Sequence, residues 1–213
     1  MAGVGQTPEI LEINQTVALE PELRETLTFS RCHALAEALL DRPVQYRFDH
    51  AIYKPAYNGR ATAWHQDEAI TRSIQTLVTA HFWVPMQDVS VEMGCMQFIP
   101  GSHRERIRPH QRLERLRHAH ALETCDVDVS RAVACPLRAG DVTVHFPRTL
   151  HYTGPNLTGV PRLAWSLEFG PAAAAAVPAG GQGAPRVAHG HATRPLDRTL
   201  SLPTAFPRSI PGR

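Results

Sequence analysis

The sequence predicts a mainly β protein with the two antiparallel sheets of a jelly roll and with helices at its N terminus. Three observations support this fold class. Several short segments are rich in β-branched and aromatic residues, proline and glycine turn signals separate them, and a stretch with helical spacing lies ahead of them. Many short strands joined by turns are typical of an antiparallel double-sheet architecture.

The first elements follow from leucine spacing and from one alternating segment. Residues 9–40 are predicted to be helical, because leucines recur along them near helical spacing, and Arg42-Pro43 ends the run. The segment Tyr46–Tyr53 partly alternates between polar and apolar residues, and Lys54-Pro55 terminates it. A strand is therefore predicted there.

Four further predicted strands complete the sheets. The segment Leu77–Met86 (LVTAHFWVPM) has the β-branched and aromatic content of a central strand. Further strands are predicted between turn signals such as Pro100-Gly101. They are Cys95–Ile99, Asp141–Phe146 and Arg162–Phe169.

Two segments lie outside this pattern of strands: an insertion within the predicted domain, which covers residues 1–170, and a tail after it. Residues 104–120 are strongly basic, and 104–132 are predicted to be an insertion over one mouth of the sheets, either a short helix or a mobile loop. A solvated lid is preferred there to a surface for an anionic substrate, such as the phosphates of a CoA thioester. Residues 171–213 lack periodicity and are predicted to be a poorly structured tail.

The composition indicates an ordinary globular protein of 213 residues, 43% hydrophobic and 20% charged. The net charge of +2 is too small to indicate a nucleic-acid or membrane partner. No apolar stretch approaches the length of a membrane span, the N terminus lacks a signal-peptide pattern, and the four cysteines form no CxxC pair. A reducing, cytoplasmic setting is therefore expected, and the oligomeric state stays open.

The segment WHQDE (64–68) contains an H-x-D pair, His65 and Asp67. In an extended segment, residues i and i+2 point to the same side, so both side chains can face one metal ion. An imidazole nitrogen and a carboxylate oxygen suit Fe(II), and a second histidine would complete a two-histidine, one-carboxylate triad with open positions. The pair alone is a weak signal, because these residue types often fall two apart by chance.

His151 and Arg162 strengthen that signal. His151 follows the predicted strand Asp141–Phe146 and leads into a turn, after which the chain returns through Arg162. Such a hairpin can bring both residues to the same mouth of the sheets. The planar guanidinium pairs with carboxylates bidentately, so Arg162 suits the far carboxylate of a metal-chelating 2-oxo acid.

Several motifs around these residues occur in a distinctive order. They are WHQDE (64–68), FWVPMQDVSVEMGCMQFIPGSH (82–103), LRAGDVTVHF (137–146) and HYTGPN (151–156), with Arg162 beyond them. From about Tyr53 to Phe169, the chain resembles the phytanoyl-CoA dioxygenase family of 2-oxoglutarate oxygenases. The resemblance implies a double-stranded β-helix (jelly roll, cupin-like) that uses Fe(II), 2-oxoglutarate and O₂.

The resemblance also implies roles for individual residues. The metal ligands and catalytic residues would be His65, Asp67 and His151. Arg162 would bind the far carboxylate of 2-oxoglutarate, Thr153 would supply a hydroxyl that helps this arginine, and Trp83 would line the co-substrate pocket. His145 competes with His151 as the distal ligand; the family pattern favours His151 and leaves His145 a structural or supporting role.

The implied reaction is hydroxylation of a C–H bond of a small acyl-CoA or natural-product-like substrate, giving succinate and CO₂. Asp67 favours hydroxylation, because related halogenating enzymes lack a carboxylate at that position. Family members usually carry a further N-terminal stretch ahead of the region that resembles residues 9–53, so a shortened front end is expected. The alternative is therefore a truncated, non-catalytic or 2-oxoglutarate-independent metal-binding relative.

Four polar residues near the motifs receive simpler interpretations. Gln66 is predicted to serve packing or a hydrogen bond, His81 to be a satisfied sheet histidine, and His103 to brace a turn. For Lys54, pairing with a carboxylate near the site and a solvated position at the strand end are about equally favoured.

Overall fold

The computed structural model describes residues 10–71, 78–113 and 122–172. Two antiparallel sheets dominate it. The larger sheet contains β1 (Leu11–Asn14), β2 (Val44–Lys54), β4 (Ala80–Pro85), β9 (Thr143–His145) and β11 (Arg162–Pro171). The smaller sheet contains β3 (Thr62–His65), β5 (Met96–Phe98), β8 (Val133–Cys135) and β10 (His151–Thr153). Their orders are β1-β2-β11-β4-β9 and β3-β10-β5-β8, so the predicted mainly β jelly roll is confirmed.

Strict alternation along the central strands separates a core face from a site face. Phe82, Leu167 and Phe169 are buried in the core on one side of the larger sheet. On the other side, Trp83 and Ala164 join a second apolar cluster with Met96 of the smaller sheet. Because successive side chains point to opposite faces, residues two apart from Trp83 and Ala164 also face the space between the sheets.

Helix α2 (Leu27–Leu40) covers the core face of the larger sheet. Thr26 caps its N terminus by accepting a hydrogen bond from the Phe29 backbone N–H at 3.2 Å. The buried face is formed by Phe29, Cys32, Ala36 and Leu40. Three other leucines of the helix, Leu27, Leu35 and Leu39, are exposed. Leucine spacing therefore predicted the helix but not its buried face.

The prediction of a continuous helical region over residues 9–40 is wrong at its start. Residues Leu11–Asn14 form β1, which pairs with the edge of β2. A short helix α1 (Thr16–Leu19) and a 3₁₀ turn (Pro21–Glu25) then precede α2. Proline has no N–H to donate and clashes with the preceding turn, so Pro21 interrupts a continuous helix.

A buried carboxylate joins this N-terminal region to the larger sheet. Asp49 of β2 accepts hydrogen bonds from Thr16, from the Val17 backbone N–H, from Tyr46 and from the Trp165 indole N–H. Burial opposes ionisation of Asp49, but these donors outweigh it and lower its pKa. The ionised side chain therefore fixes α1 against β2 and β11.

Gly94 lies where two turns approach closely, at φ +79°. A Cβ added there would lie 2.3 Å from the Gly154 carbonyl oxygen, which is backbone and cannot rotate away. We expect Gly94→Ala to destabilise the protein by more than the roughly 1 kcal/mol of left-handed backbone strain alone. Urea unfolding should show this against Gly140→Ala, where φ is +94° but nothing lies within 4 Å of the added Cβ.

The predicted insertion 104–132 is described in part. A two-stranded ladder pairs β6 (Gln111–Arg112) with β7 (Leu122–Glu123), and a 3₁₀ turn covers Val129–Arg131. Residues 114–121 lie outside the described residues, as does the predicted tail from residue 173 onward. Within the described ranges, no helix is long and apolar enough to cross a membrane.

Candidate metal centre

A cavity of about 380 Å³ lies between the two sheets and is lined by residues of both. Strands β3 and β10 are neighbours, and their register places His65 directly opposite His151. Asp67 follows β3 by two residues and lines the same cavity. Sheet pairing therefore unites the H-x-D pair with the distal histidine predicted from the sequence.

The three side chains, here called the metal triad (His65, Asp67 and His151), converge on a common point. The Nε2 atoms of His65 and His151 lie 3.4 and 3.5 Å from Asp67 Oδ1. One potential ligand atom from each residue lies within 4.8 Å of the others. Two nitrogens and one carboxylate oxygen form the donor set that suits a non-haem iron site.

Backbone carbonyls fix both triad imidazoles in the tautomer that a metal requires. His65 Nδ1 lies 2.7 Å from the Ala63 carbonyl oxygen, and His151 Nδ1 lies 2.9 Å from the Thr149 carbonyl oxygen. A carbonyl can only accept, so Nδ1 carries the proton in each ring and the lone pair of Nε2 points at the centre.

The protonation states agree with this role. Burial, together with the neighbouring His65, holds the pKa of His151 well below its usual range, which keeps the ring neutral. Burial opposes ionisation of Asp67, but the surrounding histidines outweigh it and hold its pKa well below the usual range. A neutral imidazole beside an ionised carboxylate can bind a divalent cation.

Two further histidines, here called the outer histidines (His81 and His145), contact the other oxygen of Asp67. His81 Nδ1 lies 2.8 Å and His145 Nε2 lies 3.4 Å from Asp67 Oδ2. With Asp67 they form a second group compatible with a metal ion. Burial disfavours a charged His81, yet Asp67 and Glu168 outweigh it and raise its pKa to about 10. A protonated ring has no lone pair for a metal, so the metal triad is the better site.

A buried cation lies beside the centre. Arg162 is 1% exposed, its guanidinium carbon lies 5.2 Å from the Trp83 ring centroid, and it donates to the Gly94 carbonyl oxygen at 3.0 Å. Burial lowers its pKa to about 10. Its Nε is buried and has no hydrogen-bond partner among the residues that the structure describes.

Lys54 is a buried amine beside this cation, which makes the interpretation of a solvated strand-end lysine wrong. Its side chain is 0% exposed, and its Nζ donates to Thr153 Oγ1 at 3.2 Å and to the Gly154 carbonyl oxygen at 2.6 Å. The register of β2 and β11 places it opposite Arg162. In the described part of the chain, the hydrogen bonds of Lys54 and Arg162 go to hydroxyl and carbonyl oxygens, and neither side chain forms an ion pair with a carboxylate.

Three polar residues near the metal triad, Gln66, Ser102 and His103, do not line the cavity but support the residues around it. The Ser102 hydroxyl donates to the Ile99 carbonyl oxygen and accepts from the Leu150 backbone N–H at 2.9 Å, which fixes the residue before His151. Gln66 is buried and donates to the Arg148 carbonyl oxygen, so its predicted hydrogen-bonding role is confirmed. His103 lies in a 3₁₀ turn against Phe146, which agrees with its predicted bracing role.

The structure thus brings together all six residues that the sequence singled out. They are His65, Asp67, Trp83, His151, Thr153 and Arg162, and each lines the cavity. Sequence reasoning missed the contact between His81 and Asp67. One signal was present, because His81 lies two residues before Trp83 and therefore on the same face of β4.

The fold and this site define a class: double-stranded β-helix proteins with a candidate centre of two histidines and one carboxylate. The chain belongs to the phytanoyl-CoA dioxygenase (PhyH) family, whose sequence profile matches residues 6–164. This confirms the resemblance found in the motifs.

The chain is also similar to individual proteins whose names or structures include 2-oxoglutarate (alpha-ketoglutarate). The probable alpha-ketoglutarate-dependent hypophosphite dioxygenase of Stutzerimonas stutzeri is 32% identical over 117 residues, 52% of this chain and 39% of that protein. The chain thus matches about two fifths of that relative. EvdO2 of Micromonospora carbonacea var. aurantiaca, solved with 2-oxoglutarate, is 38% identical at a TM-score of 0.71, covering 84% of this chain and 74% of that chain.

A third similar structure is the epimerase SnoN, solved with Fe³⁺, alpha-ketoglutarate and nogalamycin RO. It is 27% identical at a TM-score of 0.62, and the match covers 76% of this chain and 63% of SnoN. Proteins of this fold with different named reactions are therefore similar to this chain.

Proposed function

We propose that the protein is an Fe(II)- and 2-oxoglutarate-dependent dioxygenase that hydroxylates a C–H bond of a small organic substrate. The observation that carries the proposal is the pairing of two features in one place. A metal triad with fixed tautomers lies beside a buried arginine that has no carboxylate partner among the described residues. One ligand that satisfies both features is a metal-chelating 2-oxo acid with a second carboxylate.

In this proposal His65, Asp67 and His151 hold Fe(II), and Arg162 holds the far carboxylate of 2-oxoglutarate. A buried charge without a partner costs several kcal/mol, so a dianionic ligand would relieve a cost present in the free protein. Thr153 and Lys54 hydrogen-bond to each other beside Arg162 and would complete the carboxylate site. Trp83 stacks under the guanidinium and keeps water from its face.

Iron with 2-oxoglutarate and O₂ would supply the oxidising chemistry, with succinate and CO₂ as by-products. The chain would position the reactants. The ionised Asp67 occupies a ligand position that would otherwise be free for a second anion, which favours hydroxylation. Since SnoN is named an epimerase, the mass of the product should be measured; hydroxylation adds one oxygen atom. The likeness to a structure that contains nogalamycin RO supports a natural-product-like substrate in preference to an acyl-CoA.

The test begins with anaerobic protein, Fe(II) and 2-oxoglutarate. The chelate should give a weak visible charge-transfer band, and admitting O₂ should then release succinate. The folded protein with 2-oxoglutarate omitted is the control for absorption by the metal alone. A folded sample that binds Fe(II) but gives neither the band nor succinate would favour a 2-oxoglutarate-independent metal protein and contradict the proposal.

Lys54 makes the stability of the ligand-free protein depend on pH. Burial and the nearby Arg162 lower its pKa from 10.5 to about 6, so between these values the unfolded chain binds more protons than the folded one. We therefore expect Lys54→Met to be the more stable protein near pH 6. The advantage should shrink by up to about 1.4 kcal/mol per pH unit as the pH rises towards 10.

Urea unfolding of both proteins at several pH values measures this difference. Arg60→Met, a substitution outside the cavity lining, should show no such pH-dependent difference. A gap between Lys54→Met and the parent that stays constant with pH would show that Lys54 is charged in the folded state at neutral pH.

A further inference from the structure

The two oxygens of Asp67 face different pairs of histidines. Oδ1 faces the triad rings of His65 and His151 at 3.4 and 3.5 Å. Oδ2 faces the outer histidines, with His81 Nδ1 at 2.8 Å and His145 Nε2 at 3.4 Å. The contact with His81 is the shortest of the four, so it is the one with ordinary hydrogen-bond geometry.

His81 is held in place from its other side. Its Nε2 lies 3.0 Å from Thr79 Oγ1 and 3.7 Å from a carboxylate oxygen of Glu168. The sheet register sets this arrangement, because Glu168 of β11, His81 of β4 and His145 of β9 are direct neighbours across three strands. The ring therefore reaches Asp67 from a rigid strand with its second nitrogen already engaged.

This arrangement has a consequence for how Asp67 can bind a metal. A carboxylate can bind a cation through one oxygen or through both. A charge-assisted hydrogen bond is stronger than a neutral one, and it would be lost if Oδ2 turned towards the metal. The bond from His81 thus favours binding through Oδ1 alone.

We propose that His81 is a positioning residue that holds Asp67 as a one-oxygen metal ligand. The proposal rests on the metal site of the proposed function but does not depend on the reaction or on 2-oxoglutarate. It assigns to His81 a role in fixing the carboxylate, and Thr79 and Glu168 support that role by orienting the ring. His145 is farther from Oδ2 and has a minor part.

The test compares variants of His81 by their affinity for Mn(II), titrated calorimetrically without 2-oxoglutarate. His81→Phe keeps the ring shape but cannot donate, and we expect Mn(II) affinity to fall by about 10- to 100-fold, the range typical of lost outer partners. His81→Met is a second non-donating variant in case the phenylalanine does not fit. His81→Asn keeps a donor near the position of Nδ1 and should recover most of the affinity.

The matched control is His145→Phe, which alters the neighbouring ring and should change Mn(II) affinity only a few-fold. Circular dichroism and urea midpoints establish that each variant is folded. Recovery by asparagine separates positioning from packing, since packing alone would not distinguish a donor from a non-donor.

Three results would overturn the proposal. Unchanged Mn(II) affinity in folded His81→Phe and His81→Met would reject the role of His81 while leaving the metal site intact. Two Mn(II) ions per parent chain, falling to one in His81→Phe, would make His81 a ligand of a second metal ion. Failure of the parent protein to bind any Mn(II) would reject the metal site and the inference with it.

Discussion

We expect His151→Ala to lose Fe(II) binding and His145→Ala to retain it. His151 supplies one of only three candidate protein ligands in the metal triad, and its Nε2 lone pair is aimed at the centre by the Thr149 carbonyl. We expect affinity to fall by more than the roughly 10- to 100-fold typical of lost outer partners. Anaerobic calorimetry with Fe(II) measures it, and the same loss is expected for His65→Ala.

His145→Ala is a demanding control, because its Nε2 lies as close to Asp67 as that of His151 does, at 3.4 against 3.5 Å. A protein that keeps Fe(II) after His151→Ala but loses it after His145→Ala would place the metal among Asp67 and the outer histidines. That outcome would contradict both the triad and the role proposed for His81.

We expect Arg162→Leu to lose most of the affinity for 2-oxoglutarate while Fe(II) affinity stays unchanged. Removing one partner of a buried, hydrogen-bonded charge pair costs about 2–5 kcal/mol, which corresponds to roughly 30- to 4,000-fold in affinity. Fe(II) affinity should not change, because Arg162 contacts Trp83 and Gly94, and no hydrogen bond or ion pair joins it to a triad side chain in the described part of the chain. Titration of the anaerobic Fe(II) protein with 2-oxoglutarate, followed by the visible band, measures the change.

Arg162→Lys should recover only part of the affinity, because an ammonium lacks the planar fork that matches a carboxylate. Arg131→Leu is the control, since this arginine is exposed and lies 3.6 Å from Glu105. Equal 2-oxoglutarate affinity in Arg162→Leu and Arg131→Leu would remove Arg162 from the co-substrate site.

Local pattern explains why much of the fold could be predicted. The strands Val44–Lys54 and Arg162–Pro171 are long, and the structure places them within a residue or two of the predicted bounds. The strand Leu11–Asn14 could not be predicted, because it exists through backbone pairing with β2 and carries no distinctive pattern of its own. Strand pairing of this kind depends on the neighbouring strand in the folded protein and not on the spacing of apolar residues within the segment.

The sequence by itself determined the fold class, the family and the six residues that line the cavity, because ligand types, motif order and period-two alternation are local properties of a chain. Only the tertiary structure decided the burial and hydrogen bonding of the residues around the site, such as Lys54 and His81. Whether Lys54 is solvated or buried depends on the pairing of β2 with β11. The contact between His81 and Asp67 depends on the register of three strands. Burial and hydrogen bonding set the charges of this site, and both depend on residues that are distant in the sequence. The spacing of residues along the chain therefore could not predict these charges.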